Sequence, residues 1–151
     1  MHTLSKYNRK INIKESLENI RQLKIEIEEQ EERLVRYEET AYNLTSSLSS
    51  LGPTSSIKSH NVADMMAESV AKMIDLNKYI NRILSDYYYS IEEIEKAMEI
   101  LSSLQRRIIR LYYIDGLAAD QVAAEIGYDR RSFYRIRKKA LEILESNMIS
   151  K

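Results

Sequence analysis

The sequence contains no cysteine, which excludes disulfide bridges and thiolate metal sites. It also has only three glycines and one proline among 151 residues. So few turn-forming residues cannot supply the tight turns that an all-β fold of this length needs, so the chain is predicted to be mostly helical. The two histidines, His2 and His60, are far apart and not in ligand spacing, so we expect no metal and no cofactor.

No stretch is apolar over the ~18 residues that a membrane span requires. The first residues, Met1–Lys14, are polar and basic and lack the apolar core of a signal peptide. We therefore expect a cytoplasmic protein with no membrane partner. The sequence also lacks a paired nucleophile and base, a phosphate-binding loop and a metal-ligand set, so an enzyme is the least expected class.

The formal net charge is zero, but the charges are unevenly distributed. Between Ser103 and Ala140 there are nine Lys or Arg residues and four acids, so this stretch carries +5 and the remainder −5. A basic segment of this kind is typical of a part that binds nucleic acid. The five glutamates between Glu26 and Glu32 are interpreted as a solvated helix face, because neither a histidine nor a confining pocket accompanies them.

Apolar residues repeat every seven positions along the first part of the chain. A second series begins three residues after members of the first. The two series consist of Ile13, Ile20, Ile27, Leu34, Ala41 and Leu48, and of Leu23, Tyr37, Leu44 and Leu51. This spacing predicts a long, coiled-coil-like helix. Leu17 and Ile25 lie off the stripe and are expected to widen its buried face.

A second heptad series predicts another long helix, which begins near Asn61. Its members are Met66, Met73, Ile80, Tyr87, Ile94 and Leu101, with partner positions at Val70, Leu84, Ile91 and Met98 and an interruption at Asn77. The Ser-rich run 46–59, which contains Gly52-Pro53, predicts the turn between the helices, with the first helix fraying from Ser46.

Two long helices joined by a short turn should pack antiparallel. Residues 1–101 are therefore predicted to form a long antiparallel helical hairpin, coiled-coil-like, that serves dimerisation or interaction. Each helix has an apolar stripe that can be covered within one chain or between the chains of a homodimer. The sequence does not choose between these two arrangements.

Beyond Ser103 the heptads give way to shorter helices separated by glycines. Asp115-Gly116 should end a first helix, and a second should cover about Ala119 to Ile126, followed by a tight turn at Gly127. Asp129 is predicted to cap a third helix. The buried face of that helix should consist of Phe133, Ile136, Ala140, Leu141 and Leu144. Residues 102–151 are thus predicted to form a helix-turn-helix DNA-binding domain.

The opposite side of the third helix is basic, which fits a recognition helix in the major groove of duplex DNA. The planar guanidinium group of arginine matches the two acceptor atoms that guanine presents there. Base contacts are expected from Arg130, Arg131 and Arg135, with Ser132 and Tyr134 as secondary candidates. Phosphate contacts are expected from Arg106, Arg107, Arg137, Lys138 and Lys139.

The segment from Arg110 to Leu141 resembles the region 4 helix-turn-helix of sigma-70-type factors. The shared elements are Leu111, Tyr113-Ile114, Gly116-Leu117, Val122-Ala123, Ile126-Gly127, Asp129, Phe133 and Ala140-Leu141. The whole chain is similar to phage and prophage regulators of the ArpU/RinA type. The resemblance implies an activator of phage late genes in the cytoplasm of a bacterial host, with double-stranded DNA and RNA polymerase as partners.

The sequence departs from the sigma pattern in two respects. Ala118 or Ala119 stands where a Ser or Thr usually opens the second helix, and nothing matches the sigma region that melts the −10 element. The resemblance therefore does not extend to replacing a sigma factor.

Two other function classes stay open. One is a DNA-packaging component similar to a small terminase subunit, which also combines a helix-turn-helix with helical oligomerisation parts. The other is a protein-interaction module that binds RNA polymerase or a sigma factor without DNA. Ring-sized oligomers would favour the former, and a pull-down that survives nuclease treatment would favour the latter.

Overall fold

The computed structural model describes residues 12–50 and 56–149. Helices account for nearly all of this part: α1 (Ile13–Ser50), α2 (Ser56–Ala97), α3 (Ser103–Ile109), α4 (Ala119–Ile126) and α5 (Arg130–Ile149). A 3-10 turn (Met98–Ile100) follows α2, and a π-helical turn (Arg110–Ile114) extends α3. The described residues include no strand, so the predicted all-α class is confirmed. Within the same residues, no helix combines the length and apolar character that crossing a membrane requires.

The first long helix begins at the predicted residue, Ile13. The Asn12 side chain caps it, since its Oδ1 accepts hydrogen bonds from the amides of Lys14 (3.2 Å) and Glu15 (3.3 Å). The carboxylate of Glu15 in the first turn is favourable beside the positive end of the helix dipole. Local capping therefore fixes where α1 starts.

The junction between the long helices differs from the prediction. Helix α1 does not fray at Ser46 but continues to Ser50, and α2 begins at Ser56 rather than near Asn61. The hydroxyl groups near the end of α1 donate hydrogen bonds to carbonyls of the preceding turn, so these polar side chains are satisfied without interrupting the helix. These donors are Thr45, Ser47 and Ser49. The predicted turn at Gly52-Pro53 lies outside the described residues.

The chain divides into two compact units, and both long helices contribute to each of them. The first, the C-terminal unit, consists of Met1–Ile25 and Tyr87–Lys151, and the second, the hairpin unit, is Glu26–Asp86. The sequence predicted one boundary, between residues 101 and 102. The compact units divide within α1 and α2, because each long helix contributes residues to both units, and the predicted boundary between residues 101 and 102 stays a prediction.

In the hairpin unit, α1 and α2 run antiparallel, as predicted. The hydroxyl of Tyr79 donates a hydrogen bond to the carboxylate of Glu26 near the start of this part of α1. Near its end, the hydroxyl of Thr45 lies 3.6 Å from the sulfur of Met66. Residue numbers therefore fall along α2 as they rise along α1, which is possible only for antiparallel helices.

The buried stripe of α2 in this unit differs from the predicted one. Leu76 and Ile83 are buried, whereas Val70 is 40% exposed and Asn77 is exposed. Leu76 and Asn77 lie three and four residues after Met73, so both positions are near the seam. Burying the Asn77 amide without a partner would be unfavourable, which explains why the neighbouring leucine faces inward.

The C-terminal unit has a core that joins the predicted helix-turn-helix to both long helices. Helix α1 contributes Ile13, Leu17 and Ile20 to this core, α2 contributes Ile94, and the 3-10 turn contributes Met98. The other buried residues lie in α3, the π-helical turn, α4 and α5, and they include Ile108, Ile109, Tyr113, Val122, Phe133, Ala140 and Leu144. Burial of Leu17 confirms the widened face of α1. Burial also raises the pKa of Tyr113 to about 12.

Two glycines have a left-handed backbone with φ +74, and they provide a matched pair of substitutions. A Cβ atom at Gly127 would have no described atom within 4 Å, whereas one at Gly116 would lie 3.2 Å from Cγ of Lys24. We expect Gly127→Ala to lower the free energy of unfolding by about 1–2 kcal/mol through backbone strain alone. Gly116→Ala should lower it further, because Lys24 must also move. Urea unfolding measures both values, and equal losses or the reverse order would contradict the crowding at Gly116.

Candidate nucleic-acid interface

Helices α3, α4 and α5 share a small apolar core around Phe133. The buried members of this core are Ile108 from α3, Val122 and Ala123 from α4, and Phe133 from α5. Only three residues, Gly127–Asp129, connect α4 to α5. Gly127 allows this tight turn because it adopts the left-handed conformation that other residues avoid. The bounds of α4 are those predicted from the sequence.

The start of α5 is fixed by Asp129, as predicted. Its Oδ1 atom accepts a hydrogen bond from the amide of Ser132 at 2.9 Å. Hydrogen bonds from the hydroxyl and the amide of Ser132 hold the pKa of Asp129 below its usual value. The carboxylate is thus ionised at neutral pH, and the cap determines which side chains the first turn of α5 presents to solvent.

The other two short helices are capped in different ways. Ser102 and Gln105 form a reciprocal capping box at the start of α3, with hydrogen bonds of 3.2 and 3.0 Å. At the start of α4, Ala118 has no side-chain acceptor to offer. The Oε1 atom of Gln121 instead accepts a hydrogen bond from the amide of Ala118 at 2.9 Å. Half of a capping box therefore remains despite the missing Ser or Thr.

Four cations form the outward side of α5, which we call the basic face: Arg131, Arg135, Lys138 and Lys139. Each of them is exposed, and the buried residues Phe133, Ala140 and Leu144 lie on the opposite side of the helix. None of the four forms a hydrogen bond or an ion pair with another residue in the described part of the chain. Their positive charges are therefore available to an anionic partner.

Arg135 and Lys139 also border a shallow groove between α5 and the first turn of α3. The groove is lined by Ser102, Leu104, Gln105, Arg135, Ile136 and Lys139. The polar groups of the α3 cap therefore lie beside the basic face. An anion bound to these two cations would have hydroxyl and amide groups within the same groove.

Arg130 is exposed but already has partners. Its Nε atom lies 3.5 Å from Oδ1 of Asp120 on α4, and its Nη2 lies 3.4 Å from the hydroxyl of Tyr134. The hydrogen bond to Tyr134 and the negative charge of Asp120 raise the pKa of Arg130. A base contact from Arg130 would require it to leave Asp120, which separates it from the residues of the basic face.

Arg137, predicted as a phosphate contact, does not lie on the basic face. It follows Phe133 by four residues, which places it on the inner side of α5. Its guanidinium carbon lies 5.0 Å from the ring centre of Tyr112 and 5.1 Å from that of Tyr134. Its Nε atom is buried and has no hydrogen-bond partner in the described residues. Stacking on aromatic rings accounts for this position, and a phosphate contact from Arg137 stays a prediction.

The remaining predicted residues are distributed around the core. Arg107 on α3 lies 3.3 Å from the backbone oxygen of Glu125 and 3.9 Å from its carboxylate, so it connects α3 to the last turn of α4. Arg106 and Ser132 are half-buried, and Tyr134 is 39% exposed. The structure therefore unites four of the predicted cations on one surface and places the others around it.

Arg21 of α1 is an important residue that the sequence did not single out. Its Nη1 atom donates hydrogen bonds to the backbone oxygens of Tyr112 (2.5 Å) and Leu117 (2.8 Å), and its guanidinium carbon lies 4.0 Å from the ring centre of Tyr112. The sequence does indicate that Arg21 faces inward, because Arg21 lies four residues from both Leu17 and Ile25 and so shares the widened buried face of α1. Arg21 holds the turn between α3 and α4 against α1.

Replacing Arg21 with leucine should destabilise the C-terminal unit. The substitution removes two hydrogen bonds from a charged donor and leaves two partly buried carbonyls without it, so we expect a loss of about 1.5–3 kcal/mol in the free energy of unfolding. Arg36→Leu is the matched control, because Arg36 is an exposed arginine on the same helix. Denaturant unfolding measures the free energy of unfolding of both variants. Equal values would show that Arg21 does not stabilise the packing of the α3–α4 turn on α1.

Comparison of the chain with known protein families, with curated proteins and with solved structures finds no match. Within the described residues, no group of three or more His, Asp or Glu side chains is arranged to hold a metal ion. The interpretation of the site therefore rests on the position and charge of the residues described above.

Proposed function

We propose that this chain is a sequence-specific DNA-binding regulator of transcription, with α4 and α5 as its helix-turn-helix and α5 as its recognition helix. The basic face carries this proposal, since its four cations are exposed and form no hydrogen bond or ion pair within the residues that the structure describes. Along the axis, Arg131 and Lys138 are separated by ~10 Å at ~1.5 Å per residue. A helix with its side chains is ~10–12 Å across, which fits a major groove ~12 Å wide, and cations spread along it can meet successive bases and phosphates.

The residue types suggest different roles within this face. Arg131 and Arg135 lie in the first two turns, the part of a recognition helix that reaches base edges, and their forked groups suit guanine. Lys138 and Lys139 follow and suit phosphates as point charges. Arg106 and Arg107 would add phosphate contacts from α3, while Ser132, Tyr134 and Arg130 flank the base-reading pair.

Selection from a random duplex library tests this function. The purified chain should enrich a defined sequence, and its affinity for that duplex should fall steeply with salt because each neutralised phosphate releases counterions. If about five to eight phosphates are neutralised per dimer, the slope of log K against log salt should be roughly −5 to −7. If no sequence is enriched and binding does not depend on salt, the chain is not a DNA-binding regulator.

The resemblance to sigma region 4 and to ArpU/RinA-type regulators supports a narrower proposal. The chain would activate phage late genes and would contact RNA polymerase near the promoter, in the cytoplasm of a bacterial host. The two alternative functions predict different oligomeric states and different binding partners. Ring-sized oligomers would indicate a packaging protein similar to a small terminase subunit. A nuclease-resistant complex with polymerase, without enrichment of any duplex, would indicate an interaction module that does not bind DNA.

A further inference from the structure

Helix α2 exposes an apolar face in the hairpin unit, which we call the α2 face. Its members line one shallow groove: Ala63, Met66, Ala67, Val70, Ala71 and Ile74. Val70 and Ile74 are 40% and 50% exposed, the three alanines are exposed, and Met66 is half-buried. The members recur at intervals of three or four residues, so they form a continuous stripe along about three turns of helix.

Most of the α2 face lies on the other side of the helix from the seam that packs on α1, and Met66 borders both, since its sulfur lies 3.6 Å from the hydroxyl of Thr45 on α1. The buried residues of α2 in the hairpin unit are Leu76, Ile80 and Ile83. Successive residues of an α-helix are ~100° apart, so Ile74 points ~160° away from Leu76. The same helix therefore has two apolar stripes, and α1 covers only one of them within the described residues. Because its members are contiguous rather than scattered singly, the α2 face is a candidate interaction site.

We propose that a second copy of this chain covers the α2 face, with the two α2 helices antiparallel about a twofold axis. The sizes of the six side chains select this arrangement, because three are small and three are large. If the axis passes between the levels of Glu68 and Ser69, Ala63 faces Ile74, Ala67 faces Val70, and Ala71 faces Met66. Every small residue then meets a large one, which is how well-packed layers interdigitate. A twofold axis requires such self-complementarity.

A parallel pair of α2 helices would pack less well. It would place alanine against alanine at three levels and large residues against each other at the other three, which leaves gaps beside crowded contacts. The six residues also include no charged side chain, so association buries no unpaired charge at the centre of the face. Packing thus favours the antiparallel dimer.

The size of the α2 face sets the expected strength of the dimer. A standard stable interface has about 20–30 residues on each side, and the α2 face is considerably smaller. We therefore expect a dimer that forms reversibly and dissociates on dilution in about the micromolar range. The inference does not depend on the proposed DNA binding, because the α2 face and the basic face share no residue.

Sedimentation of the full chain without DNA tests the dimer, with Val70→Lys and Val35→Lys as a matched pair. Val70 lies at the centre of the α2 face, whereas Val35 is 51% exposed on α1. Because the face is symmetric, Val70→Lys places two charges in the interface, so we expect the dissociation constant to rise at least about 100-fold. Val35→Lys should leave it unchanged, and circular dichroism should show both variants folded.

A wild-type chain that stays monomeric at millimolar concentration would overturn the proposal, as would a dimer that Val70→Lys leaves intact.

The antiparallel register can be tested separately by disulfide cross-linking. The chain has no cysteine, so a cysteine introduced by substitution carries the only thiol of its chain. Oxidation of a mixture of Ala67→Cys and Val70→Cys should give mainly cross-linked heterodimer, since these positions face each other. Faster cross-linking of either variant with itself would overturn the antiparallel register.

Discussion

Replacing Arg131 and Arg135 together with alanine is expected to weaken binding to the selected duplex by about 2–6 kcal/mol, which is at least about 30-fold. Each arginine should account for about 1–3 kcal/mol if it contacts a guanine through both nitrogens. Both side chains are exposed and unpaired in the described part of the chain, so the free energy of unfolding should stay within about 0.5 kcal/mol of the wild type. Fluorescence anisotropy and denaturant unfolding measure the two quantities.

Lys138→Ala is the control for charge alone. Lys138 lies on the same face but should contact phosphate, so its loss should weaken binding to selected and unselected duplexes alike and reduce the salt slope by about 0.9. The double arginine variant should instead lose the preference for the selected sequence. If it binds that sequence as the wild type does, Arg131 and Arg135 do not read bases.

Replacing Phe133 with alanine is expected to lower the free energy of unfolding by about 3–5 kcal/mol. Phe133 is the only phenylalanine in the chain and is fully buried among Ile108, Val122 and Ala123. Its ring also lies 5.5 Å from that of Tyr112. Small domains have a total stability of about 5–15 kcal/mol, so a large share would be lost. Urea unfolding measures this loss, and DNA binding should fall as the orientation of α5 becomes less fixed.

The neighbouring aromatic residue provides the control for Phe133. Tyr134 is 39% exposed, so Tyr134→Ala removes a ring of similar size with far less loss of buried surface. We expect it to destabilise the chain much less than Phe133→Ala does. Equal losses for the two variants would mean that Phe133 is not the centre of the core shared by α3, α4 and α5.

The features that the sequence predicted well are those set by neighbouring residues. The cap at Asp129, the left-handed glycines and the bounds of α4 each depend on a few adjacent positions, and heptad spacing predicted the long helices. The burial of Leu76 rather than Asn77 was harder to predict, because both positions lie near the seam. Which one faces inward depends on the orientation of α2 against α1.

Helical spacing indicates that Arg21 lies on the buried side of α1, but local patterns cannot identify the residues that it contacts. Its two acceptors, Tyr112 and Leu117, are 91 and 96 residues away in sequence, and they meet it only because the start of α1 packs in the C-terminal unit. The inner position of Arg137 was accessible, since its spacing from Phe133 already indicated the buried side. The phosphate contact predicted for Arg137 rests on its charge alone, whereas its spacing from Phe133 predicts a position on the inner side of α5.

The central claim is that the basic face of α5 enters a groove of duplex DNA, and nuclear magnetic resonance of the isotope-labelled chain tests it most directly. Addition of the selected duplex should shift the side-chain Nε–Hε signals of Arg131 and Arg135 and the backbone amides of the first turns of α5. Signals from the hairpin unit should shift less. If saturating DNA leaves both arginine signals unchanged, or shifts only residues of Glu26–Asp86, α5 is not the recognition helix.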